Sequence, residues 1–310
     1  MAVVPGLCPR IDSGFEPSEP SRTRTGSLEK LRLRLISYED LPAWYQDNKF
    51  LRHGYRSVSD STKSCFASWF YMHNETINIY SHGIPAIIFL LGEFYICAYL
   101  RLKYPQASVG DYLVLACFLL TAAICLGLST SYHTLMNHSQ HVSELWLRLD
   151  FVGIIVLILG HFFSGIYVVF WCDMTLRAAY WGMIAALGAL SIIVLVLPKF
   201  QGLEWRTFRL CCFVGTGFSG LVPIIHGIKA YGINRMIQMS GLPYYFGEGG
   251  LFLLGVIIYS TRFPECIKPG MFDIYGSSHQ LFHILVVFAM AVHLTGVLIA
   301  YDKNYNSQVC

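Results

Sequence analysis

Seven long apolar stretches dominate the chain after residue 78. They lie at about 79–100, 111–133, 150–171, 178–197, 208–228, 244–261 and 279–300. Each is close to the roughly 20 apolar residues that a helix needs to cross a bilayer core. The sixth is the weakest, because residues 247–250 (GEGG) stand near its start. The pattern predicts an all-α integral membrane protein, a bundle of seven transmembrane helices.

The segments outside these stretches have a different character. Residues 1–34 are polar and predict a disordered cytosolic tail. Residues 35–78 predict a cytosolic or interfacial region before the first span, with FASWFYMHNET as a short interfacial helix. Residues 79–300 then form the seven-span domain, and residues 301–310 form a short C-terminal tail.

Composition agrees with a membrane protein. Of 310 residues, 55% are hydrophobic and 13% are charged, whereas a soluble domain carries about 25% charged residues. The net charge of +3, without a basic run, argues against a nucleic-acid partner. The ten cysteines are scattered, and we expect small apolar core residues rather than a disulfide framework.

The basic residues predict the orientation. If the N-terminus is cytosolic, the cytosolic segments hold most of the 22 lysines and arginines. Basic residues accumulate on the cytosolic side of membrane proteins. We therefore expect the N-terminus inside and the C-terminus outside, in either the plasma membrane or an endomembrane.

Four ionisable residues stand at the ends of spans, where such residues are functional candidates. His133 ends span two, Asp150 opens span three, and His279 and His283 open span seven. A spacing of four puts His279 and His283 on one helix face. Each span crosses the membrane in the direction opposite to the one before. The end of span two and the starts of spans three and seven therefore lie on one side, so all four residues reach one membrane face. Three imidazoles and a carboxylate suit zinc, with one position left for water, as in catalytic zinc sites.

Other polar residues in the spans have more ordinary interpretations. Ser129 lies four residues before His133, and its hydroxyl either faces this site or bonds back to its own helix. We expect His161, His226 and His293 to hydrogen-bond neighbouring helices. Glu248 is either a residue of a membrane pathway or the solvated end of span six.

Five segments together resemble the progestin and adipoQ receptor family, which includes the adiponectin receptors and is related to the hemolysin III proteins. They are HNETINIYSH, LGLSTSYHT, LDFVGI, SGLVPIIH and FPECIKPGMFDIYGSSHQLFHILVV, and the resemblance extends over about residues 38–300. The resemblance implies zinc on His133, His279 and His283, with Asp150 contacting the metal through water and Ser129 beside it. It assigns no role to Arg52, Asn74, Glu75 or Asn78, nor to the N-terminal tail.

Two functions follow as expectations. The first is a zinc hydrolase that acts on a ceramide-like lipid amide, with Asp150 as general base and Ser129 as hydrogen-bond donor. The family's resemblance to the alkaline ceramidases implies this chemistry. The alternative is a non-enzymatic receptor with a structural zinc, for an extracellular protein or a sterol. Either would act on lipid and zinc homeostasis. Haem is a further alternative for intramembrane histidines.

Overall fold

The computed structural model describes residues 35–200 and 203–307. These residues form ten α-helices: α1 (Thr62–Ala67), α2 (Thr76–Lys103), α3 (Val109–Leu135), α4 (Gln140–Val169), α5 (Met174–Val196), α6 (Arg206–Phe218), α7 (Leu221–Tyr231), α8 (Ile233–Met239), α9 (Leu242–Thr261) and α10 (Ser278–Ser307). Seven spans are long and apolar enough to cross a membrane, with α6 and α7 together making the fifth. The predicted seven-helix membrane bundle is confirmed. Within the described ranges the extended pairing is one isolated bridge, between Ile36 and Tyr55.

Local sequence sets where the spans begin. The Ser108 hydroxyl accepts from the backbone N–H of Asp111 at 3.3 Å, while the Asp111 carboxylate accepts from the Ser108 N–H at 2.7 Å. This reciprocal pair satisfies N–H groups that the first turn of α3 cannot bond internally. Asp173 caps α5 by a single bond, in which its carboxylate accepts from the N–H of Leu176 at 2.9 Å.

The fifth span is broken in its middle. Helix α6 ends at Phe218 and α7 begins at Leu221, and Pro223 stands in the first turn of α7, where its missing N–H costs nothing. Gly220 lies at the break, because a Cβ there would come within 2.8 Å of the Phe162 ring. The predicted stretch at 208–228 is therefore one span made of two helices.

Three helices form the centre of the bundle. The apolar segments of α3, α4 and α10 are 50%, 61% and 44% buried, whereas those of the other spans are 22% buried or less. Phe118 and Leu126 of α3, Leu157 of α4, and Met290 and Val297 of α10 belong to one buried cluster. The central helices are thus packed over more of their surface than the outer ones, which helps to position polar side chains between them.

The outer helices present apolar side chains outward. Ile87, Ile88 and Leu91 of α2 are each about 60% exposed. In water such a surface would be costly, but in a bilayer the lipid tails are as apolar as these side chains. The exposed face of α2 therefore agrees with its assignment as a membrane span.

The region before α2 is anchored on the end of α3 by one fully buried arginine. Arg56 donates from Nη2 to the carbonyl of His133 at 2.6 Å and from Nη1 to the carbonyl of Thr134 at 3.0 Å. Its Nη1 also donates to the Ser68 hydroxyl at 2.8 Å. The last carbonyls of a helix lack internal partners and attract positive charge. Arg56 thereby holds the residues around the end of α3 in place.

The loop between α9 and α10 is tied to the same region. Buried Glu265 accepts from Asn48 Nδ2 at 3.1 Å and from the N–H of Ser278 at 2.7 Å. Asp273 accepts from the N–H of Arg52 at 2.8 Å. A carboxylate at the start of α10 also stabilises the helix dipole. The start of α10 and the segment before α2 therefore form one connected surface beside the end of α3.

Three details differ from the sequence interpretation. The short helix before the first span is α1 at Thr62–Ala67, followed by a 3₁₀ turn at Ser68–Phe70, and therefore begins earlier than expected. Helix α10 continues to Ser307, into the segment expected to be a tail. The expectation that the cysteines are small apolar core residues is wrong for Cys172 and for Cys266, each of which is disulfide-bonded, because pairing cannot be read from spacing. The predicted tail at 1–34 lies outside the described residues.

Candidate metal centre

Three histidines from two central helices meet at one end of the bundle. His133 lies in the last turn of α3, and His279 and His283 lie in the first two turns of α10. One ring nitrogen from each lies within 4.8 Å of the other two. His133 and His283 are each 2% exposed. The structure therefore brings together the three histidines that sequence analysis predicted as ligands.

The spacing of the donor atoms fits a tetrahedral ion. His133 Nε2 and His279 Nε2 are 3.2 Å apart. Two nitrogens bound tetrahedrally to zinc at 2.0–2.1 Å stand about 3.3 Å from each other. These imidazoles are thus already at the separation that zinc ligands require, and the three-histidine donor set is one that zinc uses.

Glu75 orients His133. It is the residue before α2, and its Oε2 accepts from His133 Nδ1 at 2.7 Å and from Asn78 Nδ2 at 2.6 Å. Burial alone would raise the pKa of Glu75, but the hydrogen bonds from His133 and Asn78 hold that pKa below its usual value. A carboxylate that accepts a hydrogen bond from Nδ1–H keeps the proton on Nδ1, so the Nε2 lone pair is available for a metal. Sequence analysis could not assign Glu75 or Asn78, although both lie in the segment HNETINIYSH.

The other two histidines are held differently. His283 Nδ1 is 3.3 Å from the Ser81 hydroxyl, and its ring stacks on that of His82 with 3.7 Å between centroids. His279 packs against the ring of Tyr259, and its buried Nδ1 has no hydrogen-bond partner among the described residues. The centre therefore has firm support on α3 and on the second turn of α10, and weaker support at His279.

Asp150 and Ser129 form a pair beside this group. Ser129 is buried and lies beside Asp150, and the choice between its two interpretations stays open. Asp150 does not belong to the group whose donor atoms lie within 4.8 Å. The ligand group thus comes from two helices rather than three. The contact of Asp150 with a metal through water stays a prediction.

The remaining polar residues fall into two sets. His226 Nδ1 lies 2.7 Å from the hydroxyl of Tyr180, so its predicted bond to a neighbouring helix is confirmed. The same prediction is confirmed for His293, which contacts Ser164 of α4 and Glu248 of α9. With His161 and Glu248 it forms a second group of donor atoms within 4.8 Å. The interpretation of His161 as a link to a neighbouring helix is wrong, because its Nδ1 bonds the carbonyl of Leu157 in its own helix.

Seven spans with two buried histidine groups define a multi-pass integral membrane protein with centres that could hold a metal ion. A sequence model of the family described as "Haemolysin-III related" matches residues 70–294. This chain belongs to that family. The match includes all three histidines of the first group.

Relatives of this chain are named as receptors. It is 38% identical to "Progestin and adipoQ receptor-like protein 1" of Caenorhabditis elegans over 93% of this chain and 65% of that protein. It is 37% identical to "ADIPOR-like receptor IZH2" of Saccharomyces cerevisiae over 88% of this chain and 86% of that protein. It is 36% identical to "Adiponectin receptor protein" of Drosophila melanogaster over 85% of this chain and 59% of that protein. The chain thus spans less than two thirds of the nematode and fly proteins. The family resemblance drawn from the five segments is confirmed.

Proposed function

We propose that this protein binds one zinc ion through His133, His279 and His283 and hydrolyses a ceramide-like lipid amide at that ion. The observation that carries the proposal is the 3.2 Å separation of the His133 and His279 Nε2 atoms, next to an Asp150–Ser129 pair. Three histidines leave one coordination position open, which is typical of catalytic rather than structural zinc.

Each residue of the site has a defined task. A zinc ion held by the three histidines would supply a coordinated water with a pKa lowered towards about 7 and a polarised carbonyl group. Asp150 would accept the proton of the attacking water as general base and return it to the leaving amine as the amide C–N bond breaks. Ser129, which lies beside Asp150, would donate a hydrogen bond to the site or to the developing oxyanion. Glu75 keeps His133 in the tautomer that presents Nε2.

The location of the site supports a lipid substrate. The three histidines lie at the ends of membrane spans, within a bundle whose outer face is apolar. A lipid with its amide near the headgroup and its chains in the bilayer would bring a carbonyl to this depth. We place the N-terminus, and with it this end of the bundle, in the cytosol; protection of an N-terminal tag from protease in sealed cells tests that orientation.

The second candidate is a receptor in which the zinc is structural. Its support is that His133 is held from two sides, by Glu75 at its ring and by Arg56 at its carbonyl, so an ion there would join α3, α10 and the segment before α2. A sterol in the bundle or an extracellular protein would be the ligand.

Zinc content and ceramide turnover of the purified protein decide between these candidates. The His279→Ala, His283→Ala double variant should lose one zinc, measured by elemental analysis, and all ceramide hydrolysis, measured by mass spectrometry of the released fatty acid. His226→Ala is the matched control, since His226 bonds Tyr180 away from the site. Loss of zinc without any turnover in the wild type would favour the receptor. Zinc unchanged in the double variant would refute the site.

A further inference from the structure

A second polar group lies deeper in the bundle. It consists of His161 in α4, Glu248 in α9 and His293 in α10, and one donor atom from each lies within 4.8 Å of the others. His161 and His293 are 6% and 1% exposed. His293 follows His283 by ten residues on α10, which is about 15 Å along a helix. The two groups therefore cannot share an ion.

The tautomer of His161 leaves a lone pair directed away from its own helix. Its Nδ1 lies 2.9 Å from the carbonyl of Leu157. A carbonyl only accepts, so Nδ1 carries the proton and Nε2 carries a lone pair. That Nε2 is buried and has no hydrogen-bond partner among the described residues. A histidine that donates one ring N–H to a backbone carbonyl and keeps the other nitrogen free is arranged as metal ligands are.

The contacts of His293 join it to two neighbouring helices. Its Nε2 lies 2.8 Å from the Ser164 hydroxyl, whose one proton can go to this nitrogen or to the carbonyl of Gly160 or His161. Its Nδ1 lies 2.5 Å from Glu248 Oε2. A proton between these two atoms, or a cation bound by both, satisfies so close a contact.

We propose that His161 Nε2, His293 Nδ1 and the Glu248 carboxylate bind a second divalent transition-metal ion of the zinc class. A shared proton would satisfy the His293–Glu248 contact but would leave His161 Nε2 without a partner. An ion engages all three donors at once, and two histidines with one glutamate form a known zinc set. It would also offset the cost of placing a carboxylate within the membrane.

The geometry requires one adjustment on binding. Ligands of a tetrahedral zinc stand about 3.3 Å apart, so His293 and Glu248 must separate from their present 2.5 Å. The hydroxyl of Tyr245, buried and without a hydrogen-bond partner in the described part of the chain, lies on the ring that packs against His293. This hydroxyl is an unengaged donor that could bond a water at the fourth position.

The proposal does not depend on catalysis at the first group, and metal counting separates the two. Protein purified from zinc-supplied cells should hold two zinc ions per chain by elemental analysis. Glu248→Gln should hold one, and the His279→Ala, His283→Ala variant should also hold one. The triple variant should hold none. Tyr180→Phe, which removes the partner of His226, is a control that should keep two.

A second measurement guards against misfolding in the variants. Cobalt(II) added to the His279→Ala, His283→Ala variant should give visible d–d absorption at one equivalent, and that absorption should disappear on adding Glu248→Gln or His161→Gln. A wild type with one zinc that Glu248→Gln retains, together with no cobalt absorption in the double variant, would overturn the proposal and assign the contact to a shared proton. A wild type whose one zinc persists in the double variant but not in Glu248→Gln would refute the first site and support the second.

Discussion

The two histidine groups of this protein both include residues of α10, but they are built in different ways. The first, His133 with His279 and His283, is supported by residues outside the spans, since Glu75 and Arg56 hold His133 from the segment before α2. The second, His161 with Glu248 and His293, comes from three spans and is supported within them, by Ser164 and the Leu157 carbonyl. A site at the membrane face can use loops as its outer support, whereas a site in the bilayer interior depends on helix backbone and neighbouring side chains.

The largest difference between the groups should appear in chemistry. Asp150→Asn removes the proposed general base of the first group, whereas the carboxylate of the second group, Glu248, is one of its proposed ligands. We expect ceramide hydrolysis to fall by about 10²–10⁴-fold, the usual contribution of general-base catalysis. Zinc content should stay at the wild-type value. Turnover is measured by released fatty acid; unchanged turnover would remove Asp150 from the mechanism.

The second prediction concerns stability at the face that supports the first group. Arg56→Met removes three hydrogen bonds from a buried charge and leaves two carbonyls at the end of α3 unpaired. Loss of such a buried network costs about 3–5 kcal/mol of unfolding free energy. Thermal melting in detergent measures it.

Arg148→Met is the matched control for that change. Arg148 pairs with Glu144 at 3.7 Å on a partly exposed surface, and such pairs contribute less than about 1 kcal/mol. Equal melting temperatures for Arg56→Met and Arg148→Met would contradict the role given to Arg56. Metal at the second group should survive Arg56→Met when the protein is kept below its melting temperature.

A smaller effect on zinc affinity is expected when the residue that orients a ligand is changed and the ligand itself is kept. Glu75→Gln keeps a hydrogen-bond acceptor near His133 Nδ1 but removes the negative charge of residue 75. His133 Nε2 therefore becomes a weaker metal ligand. Changes to the hydrogen-bond partner of a metal ligand reduce metal affinity by about 10–100-fold. Competition with a zinc chelator measures the affinity of the first group. Glu144→Gln, on the exposed surface, is the control, and identical affinity in Glu75→Gln would show that the carboxylate does not tune the site.

The first group could be predicted from the sequence and the second could not, for a physical reason. His279 and His283 are four residues apart, so helix geometry alone puts them on one face, and span parity brings His133 to the same side. His161, Glu248 and His293 stand alone on three different helices. Their meeting depends on how each helix is rotated in the bundle, which apolar stretches of nearly uniform character do not specify.

The same limit applies to the supporting residues. The seven spans follow from stretches of apolar residues, and all seven are present. Glu75 and Arg56 reach the first group only because the segment before α2 folds onto the end of α3, and no periodicity encodes that contact. The acidic Glu75 is consistent with the start of a helix, where carboxylates are common. Its sequence position does not show that its partner is His133.

The smallest predicted effect is a pH dependence of folding stability that arises from a histidine near the first group. His73 lies in the segment before α2 and is fully buried; burial, with the nearby charge of Arg56, lowers its pKa to about 3. The unfolded chain therefore takes up a proton below pH about 6.5 that the folded protein resists, so stability is full above that pH and falls as pH falls below it. At pH 5.5 the loss is about 1 kcal/mol, measured as a lower melting temperature. His73→Gln should flatten this slope without changing the metal content of the second group. A slope that stays the same in His73→Gln would mean that other groups cause it.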